Sequence, residues 1–169
     1  MKKEFLISLF VLLGVVQGAW AQTWTEVGTY NELDEALIDG AHIRLTNDIK
    51  MSGYLVIQGG RPGKTVVIDL NNHTLDRGLT SPTFNGDLFE VFGNLTLSNG
   101  TLTGGWNSRT GSYDSGCIYN EGTLTLNNVT INNCKAVDGG GIKNLEGATL
   151  TITGGAITNC RSNAGGAAW

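Results

Sequence analysis

Leu124-Thr-Leu-Asn-Asn-Val-Thr-Ile131 alternates apolar and polar residues, breaks step at Asn127-Asn128, and then resumes the alternation. Period 2 places Leu124, Leu126, Val129 and Ile131 on one face, which is the pattern of strands and not of a helix. The stretch therefore reads as a strand, a two-residue corner and a second strand. The same unit returns at Leu150-Thr-Ile-Thr-Gly-Gly-Ala-Ile157, at Leu95-Thr-Leu-Ser-Asn-Gly-Thr-Leu102 and at Ile68-Asp-Leu-Asn-Asn-His-Thr-Leu75, with a weaker copy from Ile43-Arg-Leu-Thr-Asn47. From Ile43 through Ile68, Leu95 and Leu124 to Leu150 the steps are 25, 27, 29 and 26 residues. Self-similarity at that period is the mark of a solenoid.

The corner position is Asn47, Asn72, Asn99, Asn128 and Gly154 in successive copies. Asn and Gly enter the left-handed backbone region at low cost, as a tight bend between strands requires. About 26 residues per repeat, at roughly 3.3 Å per strand residue, make one closed coil of three short strands. Stacked coils pair in parallel and bury one continuous core. The expected fold is all-β, a right-handed parallel β-helix of about five coils with a short N-terminal capping helix.

Three segments follow in chain order. Residues 1–21 combine Lys2 and Lys3, an apolar run from Phe5 to Val16, and the small-x-small site Ala19-Trp-Ala21, a secretory leader cut after Ala21 by signal peptidase. Residues 22–42 form an N-terminal cap, an edge strand followed by an amphipathic helix over 30–38. That helix opens on the capping-box sequence Thr29-Tyr-Asn-Glu32. Residues 43–169 are the β-helix. Its last unit, Gly165-Gly-Ala-Ala-Trp169, restarts the pattern of Gly139-Gly-Gly-Ile-Lys143 without a capping segment, so the chain reads as the front part of a longer protein.

Composition narrows the function classes. Eleven Lys and Arg stand against 15 Asp and Glu, a net charge of −4, with no basic patch or aromatic-basic interleaving of the kind that nucleic-acid binding needs. Beyond the leader no apolar run is long enough for a membrane-spanning helix. Three cysteines without a Cys-x-x-Cys or Cys/His cluster point to no metal site and no cofactor.

Ile131-Asn-Asn-Cys-Lys-Ala-Val-Asp-Gly-Gly-Gly-Ile142 and Ile157-Thr-Asn-Cys-Arg-Ser-Asn-Ala-Gly-Gly-Ala167 resemble the repeats of chlamydial-type polymorphic outer membrane proteins and related adhesin-like β-helices. In those repeats an F-x-x-N segment is paired with a G-G-A-I segment; here Ile replaces Phe and Cys stands at the final Asn. Ile68-Asp-Leu-Asn-Asn-His-Thr-Leu75 is similar to the N-terminal coil of the wider pectin-lyase-like superfamily. The resemblance implies an adhesin-like passenger at the extracellular or outer-membrane surface that presents loops to a glycan, a host or a cell-surface protein, and the leader ending Ala21-Gln22 in an acidic chain with three cysteines suits a Gram-negative bacterium. The alternative, second to this, is the front part of a polysaccharide lyase or glycoside hydrolase with its active site beyond residue 169, because that fold hosts both.

Candidate residues were weighed by the chemistry each reading needs. A lyase asks for clustered carboxylates and an Arg or Lys base; Asp69 and Asp76 bracket His73, with Arg77 adjacent, but no neighbouring coil supplies a second acid in register. An inverting glycosidase needs acids about 6.5–9.5 Å apart, and none stack. No catalytic set is therefore assigned, and His73 and His42 read as surface residues. The binding candidates are Trp106, Arg109, Tyr113 and Asp114, in the insertion Trp106-Asn-Ser-Arg-Thr-Gly-Ser-Tyr-Asp114, where aromatic rings can stack on sugars and charges can orient them. Cys134 and Cys160 fall one coil apart, about 4.8 Å in backbone spacing, which permits either a disulfide or a stack of buried thiols. Cys117 lacks a repeat partner. Asn133 and Asn159 are expected to stack as an amide ladder.

Overall fold

The computed structural model describes residues 23–163 apart from 62 and 112. The leader at 1–21 and the restarting unit at 165–169 lie outside those residues. Among the described residues the chain is a parallel β-solenoid of about five coils, and no helix is long and apolar enough to cross a membrane.

Strand β1 (Thr25–Val27) is followed by helix α1 (Tyr30–Glu35). The capping box forms as its sequence requires: the Thr29 hydroxyl accepts from the Glu32 amide, and the Glu32 carboxylate accepts from the Gly28 and Thr29 amides. The helix stops two to three residues short of the expected end, leaving Ile38 exposed while Leu33 and Leu37 join the core. Strands β2 (Ala41–Leu45), β3 (Ile49–Lys50) and β4 (Leu55–Ile57) complete the first coil. The second holds β5 (Thr65–Asp69), β6 (Thr74–Asp76) and β7 (Phe89–Val91). Then come β8 (Asn94–Thr103) and β9 (Ile118–Asn120), β10 (Thr123–Asn132), β11 (Lys135–Ala136) and β12 (Ile142–Asn144), and finally β13 (Thr149–Thr158) and β14 (Arg161–Ser162).

One wall of the solenoid is the sheet β1-β2-β5-β8-β10-β13, the opposite wall is β4-β7-β9-β12, and β11 pairs β14. The alternation places Leu95, Leu97, Leu124 and Leu126 inward at about 1% exposure or less, facing Leu55, Phe89, Val91, Ile118 and Ile142 across the core. Each fully buried Leu or Ile contributes roughly 1.5–3 kcal/mol relative to an exposed one, so every coil adds its own increment and binds mainly its neighbours. Between β10 and β13 the register is Leu124↔Leu150 through Ile131↔Ile157, the step of 26 read from the repeat.

The corners divide into two kinds. In β8, β10 and β13 the strand runs through the corner as one ten-residue element; a single residue carries the bend in the first two, Asn99 (φ 54°) and Asn128 (φ 56°), and Gly154 (φ 72°) with Gly155 (φ 79°) carries it in the third. The earlier corners are wider. Asp69 pairs Ser98 while Thr74 pairs Thr101, so the second coil spends two extra residues and places both Asn71 (φ 50°) and Asn72 (φ 64°) in the left-handed region. Two expectations are corrected by this. Ile68 stacks on Leu97 and not on Leu95, although Leu75 stacks on Leu102 as aligned. Asn47 does not adopt positive φ, because the four residues between the paired Arg44 and Ile49 turn the chain without it.

A β-branched residue at position 128 faces the left-handed steric cost of about 1–2 kcal/mol, whereas glycine does not. Asn128→Val is expected to lower the midpoint of thermal unfolding by several degrees, and Asn128→Gly to leave it within about 2 °C. Calorimetry on the two variants checks this; equal midpoints contradict the corner assignment.

Candidate functional site

The loop between β8 and β9 brings residues from three coils together. The Trp106 amide donates to the Gly86 carbonyl, the Lys135 amide to the Gly105 carbonyl and the Arg161 amide to the Cys134 carbonyl, each at 2.9 Å. Trp106 bridges Lys135 in parallel, and Lys135 pairs Arg161. Trp106, Lys135 and Arg161 thus occupy one position on successive coils. The Lys135 ammonium lies 4.1 Å from the centroid of the Trp106 ring, a contact that holds cation and ring together.

Two open grooves share this row. One, of about 490 Å³, is walled by Pro82, Trp106, Asn107, Lys135, Val137 and Arg161 among others. The second, of about 470 Å³, is lined by Thr103, Asn132, Asn133, Lys135, Asn159 and Arg161. Among the described residues no carboxylate lines either groove. Neither Lys135 nor Arg161 takes part in an ion pair among the described residues. Like charges on facing strand positions repel, so the row stores a local positive field on a chain of net charge −4. The surface offers an aromatic face, two cations and a row of amides, the donor set that binds hydroxyl- and acid-bearing ligands.

The four binding candidates do not converge. Of the four only Trp106 lines a groove, the first of the two. Arg109 is tied by its Nη1 to Glu90 Oε1 at 2.6 Å and lies over the Phe84 and Tyr113 rings at 4.7 and 5.0 Å. Tyr113 leans on Tyr119 and Phe92, with ring centroids 4.9 and 6.1 Å away. Asp114 is fully buried, and its oxygens accept the Val137 and Asp138 amides at 3.0 and 2.9 Å. Burial raises its pKa even against those two donors. The position serves to pin the loop to the next coil, as does Lys143, which donates to the Gly111 carbonyl at 2.8 Å.

The acid and base residues of a lyase-like set are engaged in ties between coils. Asp69 meets Arg44 at 3.2 Å and the Asn99 amide at 3.1 Å, and Asp76 meets Lys50 at 2.8 Å. Arg77 donates to the carbonyls of Met51, Asn85 and Asp87. His73 Nδ1 lies 3.3 Å from Asp48 Oδ1, which also accepts the Thr74 amide, and His42 stands edge-on to Trp24 at 5.6 Å. Among the described residues no three His, Cys, Asp or Glu side chains gather as a metal site.

Asn133 (φ 54°) and Asn159 (φ 53°) form a second left-handed corner, continued one coil earlier by Gly104 (φ 76°). Their backbone role was missed in the sequence, where they were read as an amide ladder; the Asn159 amide does reach Asn132 Oδ1 at 3.1 Å. Lys135 and Arg161 were missed too, though each directly follows its Asn-Cys pair. Stepping from Trp106 by the measured coil lengths of 29 and 26 residues lands on both, a signal that the repeat already carried.

Asp87 was not anticipated. It is fully buried, and neither carboxylate oxygen has a hydrogen-bond partner among the described residues. Burial, with the Glu90 carboxylate adding to it, pushes its pKa up to about 7. The folded state therefore holds this proton more tightly than the unfolded chain. Stability contributed at low pH is lost as pH rises between about 4 and 7.

A family model described as "putative pectate lyase-like adhesive domain" matches residues 24–159. No curated protein and no solved structure gives a significant match.

Asp87→Asn removes the titration. It is expected to stabilise the protein by about 2–4 kcal/mol at pH 8, with the gain shrinking towards zero near pH 4. Urea unfolding across that range checks it, and a gain independent of pH contradicts the assignment.

Proposed function

For a chain that belongs to the pectate lyase-like adhesive domain family, we propose that the solenoid is a surface-exposed adhesive module whose binding face is the row Trp106, Lys135, Arg161 and its two grooves. The observation that carries this reading is the stacking of one aromatic and two cations, from three coils, with no carboxylate among the described residues lining the grooves. Energy stored by bringing like charges together is recovered when an anionic group enters. The ligand is accordingly an acidic glycan of a cell surface or extracellular matrix, with its sugar faces on Trp106 and its acid groups on the cations. Export by the N-terminal leader to a Gram-negative cell surface completes the picture. Each groove is lined by residues of successive coils, which suits a chain-like ligand bound in extended form.

Immobilised glycans with and without carboxylate or sulfate groups test the proposal. The protein is expected to prefer the acidic members, with affinity falling as salt rises. Trp106→Ala and Lys135→Glu are each expected to weaken binding about tenfold or more while the thermal midpoint changes little. Binding unaffected by both substitutions contradicts the assignment of this face.

A further inference from the structure

The three cysteines, two of which the repeat aligned and one of which it left odd, meet in the core. Cys117 and Cys134 are fully buried and Cys160 is half-buried. Cys134 lies between the other two, its thiol in contact with Cys117 on one side and Cys160 on the other. Cys117 enters from the wall that holds β9, one residue before Ile118, whereas Cys134 and Cys160 each lie two residues beyond the ends of β10 and β13.

Cys134 and Cys160 are equivalents in every respect that the backbone can impose. Ile131 pairs Ile157 and Asn132 pairs Thr158 on one side, and Lys135 pairs Arg161 on the other. Each follows a left-handed Asn, and each thiol donates to the carbonyl two residues earlier, Asn132 and Thr158, at 3.4 Å. In-register neighbours on parallel strands stand about 4.8 Å apart, inside the span of roughly 4.4–6.8 Å between Cα atoms that a disulfide accepts. The Cys160 sulfur already leans towards the lower coil, 3.9 Å from the Ile131 carbonyl. An S–S bond here would replace the weak S–H···O contacts that the two thiols make.

We propose that Cys134 and Cys160 form a disulfide between adjacent coils, leaving Cys117 as a buried free thiol. In the step, the two thiols form one S–S bond and lose two protons and two electrons. A disulfide exchange partner accepts the electrons, and its own S–S bond breaks to give two thiols. Thiolate is scarce among the folded residues, because the neighbouring thiol and burial hold Cys160 protonated. The bond therefore forms most readily while the last coil is still closing.

This bond has a specific place in the molecule. Cys134 immediately precedes Lys135, and Cys160 immediately precedes Arg161. The cross-link fastens the two rungs whose like charges push them apart, at the edge of the grooves. It is a covalent staple between two coils that β10 and β13 pair on one wall and that only the two-residue strands β11 and β14 pair beyond the Asn133 and Asn159 corners. The inference concerns the chain itself and does not depend on which ligand the grooves accept.

The test refolds the full chain from denaturant with a mixture of oxidised and reduced glutathione, beside a sample kept in reductant. Remaining thiols are blocked with iodoacetamide, and the protein is cut with trypsin and a glutamate-specific protease, which separate the three cysteines at Glu121 and Lys135. Mass spectrometry is expected to find the Cys134 and Cys160 peptides linked and Cys117 alkylated. The oxidised protein is expected to melt roughly 5–10 °C above the reduced one, and Cys160→Ser to abolish that difference. Three alkylated cysteines after oxidation, a Cys117–Cys134 link, or a dimer joined through Cys160 would each overturn the proposal. Mapping is done on the unsubstituted chain, so a folding defect in the serine variant leaves it decisive.

Discussion

Parallel hydrogen bonding between successive coils is the constraint on which everything else in this molecule rests. A strand in such a stack has no freedom of register, since a slip of one residue would turn every inward Leu and Ile to solvent. The register in turn demands a bend at fixed positions, and where the corner is tight a residue that tolerates positive φ makes it. Asn99, Asn128 and Gly154 meet that demand at one corner, and Gly104, Asn133 and Asn159 meet it at the other. The two columns of left-handed residues give each later coil its cross-section. The earlier coils reach the same end with longer corners, where Asn71 and Asn72 share the turn.

A stack with fixed register converts sequence spacing into surface geometry. Side chains separated by one coil length become neighbours about 4.8 Å apart, whatever lies between them. Trp106, Lys135 and Arg161 come together in this way, although 55 residues separate the first from the last. The loop at 104–115 is not loose: Asp114 grips the next coil through two amides, and Arg109 is locked to Glu90 beneath Phe84 and Tyr113. Buried polar residues here serve to hold an insertion rigid, so that the aromatic face is presented in one orientation. A rigid presentation lowers the ordering cost of binding, which suits a domain of an adhesive family.

Much of this was legible in the sequence because the repeat is nearly regular. Alternation in Leu124–Ile131 located the inward face, and the capping box at Thr29 located the helix. The failures trace to particular residues. Ile68 was aligned two positions out because the second coil inserts residues inside its corner, and a single offset cannot describe both halves of such a unit. Asn47 resembles the other corner residues in type but sits in a turn wide enough to need no left-handed residue. Asp114 carried the composition of a ligand contact, yet its burial is decided by how the insertion folds back, which no local pattern records. Lys135 and Arg161 were hidden in plain spacing, overshadowed by the Asn-Cys pairs before them.

In the proposed reading, coil register builds one ligand-binding face from residues far apart in the chain. A crystal structure of the protein with an acidic oligosaccharide tests it most directly. The account predicts the sugar lying along the solenoid axis, stacked on Trp106 with its acid groups within hydrogen-bond distance of Lys135 and Arg161. Sugar bound on the opposite wall, or around Phe84 and Tyr113 with the row left bare, would contradict it.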